Sequence, residues 1–317
     1  MTTPVTILTG FLGAGKTTLL RHLLRHIDAH RVVVVENEFG AANIDSELLE
    51  EISPGMVRRV NGCICCAVEV DLRHTFRSLL EARKRGHIDF DRVILETTGM
   101  ADAAGVAETF SRRDEIAEAF RLDAIVTVVD ARHGIVDLRN SPVAQTQVAL
   151  ADVLVVSKAD LVDAEAMAAV SARLAEANPT ATRIEALHGA VEPAQVLDVD
   201  AFGRFRLRRL VRVGGHVHDP FGSVVLEDDG PHDLRRLGAW LRRLSRERPY
   251  DLYRYKGVIR AGGGRRVVLQ GVHDLFSLQT ARRWRADETP RTTLVMIGVD
   301  LDPTELQAAL EAARLRR

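Results

Sequence analysis

The chain has 317 residues, 46% of them hydrophobic and 27% charged, with 43 Lys and Arg against 44 Asp and Glu and a net charge of −1. That balance supports a folded core and argues against a protein whose work is coating nucleic acid or anionic lipid, and no apolar run reaches membrane-spanning length. The length calls for one large domain beside a smaller one. The first residues lack the basic and long apolar regions of a secretory leader. Three cysteines, Cys63, Cys65 and Cys66, are too few and too crowded for a disulfide framework. Together these features point to the cytoplasm.

Along the chain, β-branched runs alternate with helical patterns: a strand at 5–9, a helix at 16–26, a strand at 31–36, a helix at 69–85, and strands at 92–96, 124–129 and 153–156. The alternation predicts βαβ units on a mainly parallel sheet, an α/β domain over 1–201. Val32-Val-Val-Val35 and Ile125-Val-Thr-Val-Val129 are apolar at consecutive positions, as central strands covered on both faces require. An Arg-rich stretch at 202–213 reads as a linker. Residues 214–317 read as a smaller α+β domain with strands near 223–226, 252–259, 266–272 and 292–297 and helices at 233–246 and 303–313. Trp240 and Trp284 are assigned to its packing.

Gly10-Phe-Leu-Gly13-Ala14-Gly15-Lys16-Thr17 fits the phosphate-loop pattern G-x-x-x-x-G-K-[ST] between a strand and a helix, so the larger domain is expected to be a P-loop NTPase. Glycines let the backbone curl its N–H groups onto phosphate oxygens, and the following helix adds its positive end. Gly10, Gly13, Ala14, Gly15 and Thr18 are thus expected to line the phosphates. Lys16 is expected to reach the β- and γ-phosphates, and Thr17 to ligate Mg²⁺. Ser157-Lys158-Ala159-Asp160 ends another apolar strand and resembles the N/T-K-x-D element that reads guanine. A carboxylate there accepts from N1–H and the exocyclic amine of guanine, so Asp160 selects GTP over ATP, while Lys158 covers the base and ribose with its stem. Ser157 stands where Asn is commoner, so the amide that ties the loop is missing. Glu96-Thr97-Thr98-Gly99 closes a third strand: Glu96 is placed in the Mg²⁺ shell, and the Gly99 N–H is placed to sense the γ-phosphate. No water-positioning Gln or arginine finger is evident, so intrinsic hydrolysis is expected to be slow.

Gly62-Cys63-Ile64-Cys65-Cys66 offers two or three thiolates within one reach, suited to Zn²⁺ or a similar borderline ion and leaving its shell incomplete. The missing ligand is sought among Glu36, Glu38 and Asp45. Packed core cysteines and a Cys63/Cys66 redox dithiol are the alternatives. His216 and His218 would share one side of a strand, and local hydrogen bonding is favoured over metal binding there. His188, His232 and His273 are read as satisfied or solvated.

The phosphate loop, Asn37-Glu38-Phe39-Gly40 with Asp45, the C-x-C-C motif, Glu96 to Gly99 and Ser157 to Asp160 together resemble the CobW-type GTPases, kin to the HypB and UreG metal-insertion GTPases. Residues Arg254-Tyr-Lys256-Gly257, Gln270-Gly271-Val272 and Ile297-Gly298 likewise resemble the CobW C-terminal domain, while the long His-rich tract of many relatives is absent. The resemblance implies a GTP-hydrolysing metallochaperone that binds Zn²⁺ or Co²⁺ at Cys63, Cys65 and Cys66 with Glu38 and Asp45, and passes it to a client metalloprotein. It leaves room for a homodimer and gives no role to nucleic acid or membrane. Two rival readings are a nucleotide-stabilised metal buffer or sensor without obligatory hydrolysis, and a regulatory GTPase acting through protein contacts.

Overall fold

The structure, a computed structural model, describes residues 2–37, 57–59, 68–97, 106, 109–110, 114–201, 221–247, 252–273, 275–286 and 288–315. The chain divides into two compact units, 1–173 with 181–204 and 174–180 with 205–317. The 202–213 linker of the sequence reading lies outside the described residues.

Up to residue 185 the chain forms β1 (Thr3–Gly10), α1 (Lys16–His26), β2 (Val32–Asn37), β3 (Val57–Arg59), α2 (Val68–Lys84), β4 (Arg92–Thr97), α3 (Glu115–Ala119), β5 (Phe120–Asp130), α4 (Gly134–Asn140), α5 (Pro142–Leu150), β6 (Val153–Ser157), α6 (Ala164–Ala177) and β7 (Thr182–Glu185). The seven strands form one sheet in the order β3-β2-β4-β1-β5-β6-β7, with every pairing parallel. The chain first fills the sheet on one side of β1 and then on the other, so β1 stands where strand order reverses and the loops at the carboxyl ends part to admit a ligand.

Leu19, Leu20, Leu23 and Leu24 of α1 recur at helical spacing and pack with Leu8, Val34, Ile94, Val126 and Val155. The alternate strand residues Val33, Val35, Leu95, Ile125 and Val156 are buried too, as a sheet covered on both faces demands. Each such aliphatic side chain contributes about 1.5–3 kcal/mol on burial. Phe76 meets Phe120 edge-on at 4.8 Å and Phe110 at 5.0 Å.

The elements missed in sequence have physical reasons. Helix α5 buries Ala144, Gln145, Gln147, Val148, Ala149 and Leu150, so it lacks the polar stripe that would reveal its period. Strand β5 begins four residues before the apolar run, because Asp123 is fully buried yet satisfied: it accepts from Thr6 Oγ1 at 3.2 Å and from the Asp200 N–H at 2.8 Å. Strands β3 and β7 have three and four residues, too few for a period.

The second unit contains β8 (Phe221–Asp228), α7 (Leu234–Glu247), β9 (Leu252–Ala261), β10 (Arg265–Val272), β11 (Leu275–Thr280), β12 (Thr292–Val299) and α8 (Pro303–Ala312). Its sheet runs β11-β10-β9-β12-β8, antiparallel throughout. Strand β11 is an addition to the sequence reading. Asp302 caps α8 through the Thr304 and Glu305 N–H groups. Trp240, Leu241 and Leu244 of α7 join Tyr255, Leu269, Met296, Leu306 and Leu310 in the core, while Trp284 receives the Arg266 guanidinium 5.5 Å from its ring centroid.

At the closing seam of this unit, Arg314 Nε donates to both oxygens of the buried Asp228, at 2.8 and 3.0 Å. The fully buried His232 ring sits beside them, with Nδ1 bonded to Thr292 Oγ1 at 3.0 Å and Nε2 3.2 Å from Asp228 Oδ2. Burial pushes the His232 pKa down more than Asp228 lifts it, so the ring is neutral when folded. Burial also pushes Asp228 up, but Arg314 and the Gly230 N–H outweigh it and hold the carboxyl below its ordinary value. Both shifts make the unfolded chain the better proton binder, so stability rises with pH through both titrations. Urea unfolding of the whole chain should lose stability first below about pH 6.5, as the exposed imidazole of the unfolded state protonates, and again below about pH 3.9 as Asp228 does. His232→Gln should abolish the first step only; an unchanged profile would refute the assignment.

Candidate nucleotide and metal site

Strand β1 ends at Gly10, whose φ of 145° and crowding suit glycine alone: a Cβ there would lie 2.3 Å from the Val128 carbonyl oxygen. The loop then turns through Gly13 and Gly15, both at positive φ, into α1. No side chain caps the first turn of α1 and none in that turn is acidic, which leaves its positive end for an anion. Lys16 Nζ donates to the Gly10 and Phe11 carbonyls at 2.9 and 3.3 Å.

Thr17 Oγ1 donates to Glu96 Oε1 at 3.0 Å, which joins the two residues assigned to the Mg²⁺ shell. Glu96 is buried at the carboxyl end of β4, in register with Leu8 of β1 on one side and with Glu36 of β2 on the other. The buried Thr97 and Thr9 hydroxyls bond at 2.9 Å across the same strands. Glu36 thus enters the segment holding Glu38 from a position next to Glu96.

Ser157-Lys158-Ala159-Asp160 stands at the end of β6 as expected, and two of its side chains make bonds to the phosphate loop that the sequence did not predict. Ser157 Oγ donates to the Ala14 carbonyl at 2.6 Å, so the hydroxyl does the loop-tying assigned to a missing amide. The shorter side chain suffices because Gly15 brings the loop close; a Cβ on Gly15 would lie 3.8 Å from that hydroxyl. Lys158 Nζ binds the Gly13 carbonyl at 2.8 Å and Asp130 Oδ2 at 2.7 Å, so its head is a clamp on the phosphate loop. The Lys158 backbone is held at φ 56°, a conformation costly for a residue with a Cβ. Asp160 follows in a short 3₁₀ turn, and its carboxylate lies 3.5 Å from His188 Nδ1.

Asp130, absent from the sequence-derived set, organises this corner. Burial raises its pKa, but Lys158, the Arg132 N–H and His133 together outweigh that and hold the carboxyl below its ordinary value, so it stays ionised. Its signal was available in Val128-Val129-Asp130, an acid at the end of a central apolar strand. Gly189 rests against Thr18, where a Cβ would lie 2.9 Å from Thr18 Cγ2, so the loop carrying His188 is seated on the start of α1. Cys63, Cys65, Cys66, Glu38, Asp45, Gly99, His216 and His218 lie outside the described residues, as does the side chain of Glu36. Among the described residues, no three His, Cys, Asp or Glu side chains converge as a metal shell, and no helix is long and apolar enough to cross a membrane.

Residues 4–185 match the family described as CobW/HypB/UreG, nucleotide-binding domain, and residues 221–314 match the cobalamin synthesis protein cobW C-terminal domain. The zinc chaperone YjiA of Escherichia coli is 34% identical, with 98% of each chain covered. The zinc chaperone CobW of Pseudomonas aeruginosa is also 34% identical, over 98% of this chain and 91% of its own. A crystal structure of Zn(II)-bound YjiA GTPase superposes with a TM-score of 0.80 at 30% identity, covering 99% of this chain and 100% of that one. With both halves matched and the nucleotide corner built as described, the chain belongs to the CobW/HypB/UreG family.

Proposed function

We propose that this protein is a GTP-hydrolysing zinc chaperone in which the nucleotide sets how tightly a cysteine-based site holds its cargo ion. The carrying observation is Glu96, which accepts from Thr17 of the phosphate loop and stands in register with Glu36 at the entrance to the Glu38 segment. A change at the triphosphate is thereby felt one strand away, where the acidic loop begins. The zinc chaperone relatives support the cargo assignment, and Co²⁺ would suit the same thiolate and carboxylate donors.

In this reading the loop from Gly10 to Thr18 cradles the phosphates, Lys16 spans the β- and γ-phosphates, and Asp160 reads the guanine edge. Two hard oxygen donors on Thr17 and Glu96, 3.0 Å apart, fit Mg²⁺. When bound, that ion neutralises charge developing on the transferred phosphoryl group. Thr17 and Glu96 would hold it, with the Gly99 N–H reporting the γ-phosphate. Cys63, Cys65 and Cys66 would supply thiolates and Glu38 and Asp45 carboxylates to the cargo ion. With GTP bound, the shell is complete; loss of the γ-phosphate contact frees the acidic loop, and the ion passes to a client metalloprotein. The reaction suits a reducing compartment in which the thiols remain unpaired.

Zinc affinity measured by competition with a chromophoric chelator should be about 5- to 150-fold higher with a non-hydrolysable GTP analogue than with GDP, and zinc should tighten the analogue by the same factor. Equal affinities in both states would end the coupling. Ser157→Ala leaves the Ala14 carbonyl without its donor at about 1–3 kcal/mol, so GTP and GDP should both bind roughly fivefold or more weakly, in calorimetry, with the turnover of saturated enzyme little changed. Asp160→Asn should cost GTP about 1.5–3 kcal/mol of binding and favour XTP, whose C2 carbonyl accepts from the new amide; unchanged GTP preference would remove Asp160 from the base site.

A further inference from the structure

We propose that His22 and His26 together bind a divalent transition-metal ion at the C-terminal end of α1, a second cation site apart from Cys63, Cys65 and Cys66. The two residues are four apart, which puts both rings on one helix face, the spacing by which helical histidine pairs share a zinc ion. Their ring centroids are 4.1 Å apart with planes tilted by 31°.

Each ring already has one nitrogen committed to a backbone carbonyl. His22 Nε2 bonds the Val191 carbonyl oxygen at 3.0 Å, and His26 Nδ1 bonds the His22 carbonyl oxygen at 2.7 Å. A carbonyl only accepts, so both bonded nitrogens carry hydrogen, and in the neutral rings His22 Nδ1 and His26 Nε2 present lone pairs. This outer bond to a carbonyl is the device that fixes the tautomer of metal-ligating histidines and raises their basicity.

The position adds to the attraction. His26 is the last residue of α1, where the helix presents its negative end and stabilises a cation. At 1.5 Å per residue the pair sits about 9 to 15 Å along the helix from Lys16, beyond the triphosphate loop. Two imidazoles leave most of the shell to water, and among the described residues no third His, Cys, Asp or Glu completes it. Such an open site exchanges its ion readily and suits loading rather than storage. Nitrogen ligands of this kind favour Cu²⁺ over Zn²⁺ and Co²⁺.

The test uses the full, untagged chain carrying Cys63→Ser, Cys65→Ser and Cys66→Ser, titrated with Zn²⁺ and with Cu²⁺ in a calorimeter. One ion per chain should remain bound, more tightly for Cu²⁺, and its affinity should fall at least about tenfold on adding His26→Ala or His22→Gln. In the same thiol-free chain, substoichiometric Cu²⁺ should broaden the His22 and His26 imidazole resonances, and in the unsubstituted chain His26→Ala should leave Mg²⁺-dependent GTP hydrolysis unchanged. A thiol-free chain that binds no ion, binding that survives both histidine substitutions, or broadening that spares both rings would overturn the site. Because the thiols are absent, such a failure leaves the cysteine assignment and its coupling to GTP untouched.

Discussion

Four hydrogen bonds from three side chains hold the phosphate loop by its carbonyls. Lys16 takes those of Gly10 and Phe11, Lys158 takes that of Gly13, and Ser157 takes that of Ala14. A glycine-rich loop has little conformational preference of its own, so its shape must be imposed from outside. Because C=O and N–H point oppositely across a trans peptide, fixing a carbonyl on one side turns the next N–H to the other. The donors on β6 therefore set where the amides of Ala14 and Gly15 aim, and Asp130 sets where Lys158 can be. The Ser157-Lys158 turn and the phosphate loop are therefore a single bonded assembly.

Glu96 extends that assembly across the sheet toward β2. Parallel pairing puts the carboxyl ends of β1, β4 and β2 side by side, so Thr17, Glu96 and Glu36 follow one another across the sheet edge.

Much of this was legible in the sequence because the signals are local. Gly10 to Thr17 declares its chemistry through residue types at fixed spacing, and Val32 to Val35 declares a central strand by consecutive apolar positions. Asp130 was passed over because its role depends on Lys158, 28 positions away, and on β5 and β6 being neighbours. Ser157 was undervalued for a related reason: the reach a side chain needs depends on how close Gly15 lets the loop come, a distance no spacing encodes. Helix α5 escapes because six of its nine residues are buried, polar Gln145 and Gln147 among them, which weakens the contrast between faces. His22 and His26 had the four-residue spacing in plain view, but the carbonyl partners that fix their tautomers come from the fold.

The basic residues of this chain are almost all arginine; its four lysines are Lys16, Lys84, Lys158 and Lys256. Lys256 is buried in β9, and Lys84 is exposed at the end of α2. The other two lie in the phosphate loop and its clamp. Chemistry directed at primary amines, whether enzymatic acetylation or a labelling reagent, would therefore meet few competing targets before reaching the nucleotide corner, and the arginine-rich exterior would stay silent. Selective use of guanidinium elsewhere leaves amine reactivity as a nearly private reporter of what occupies that corner.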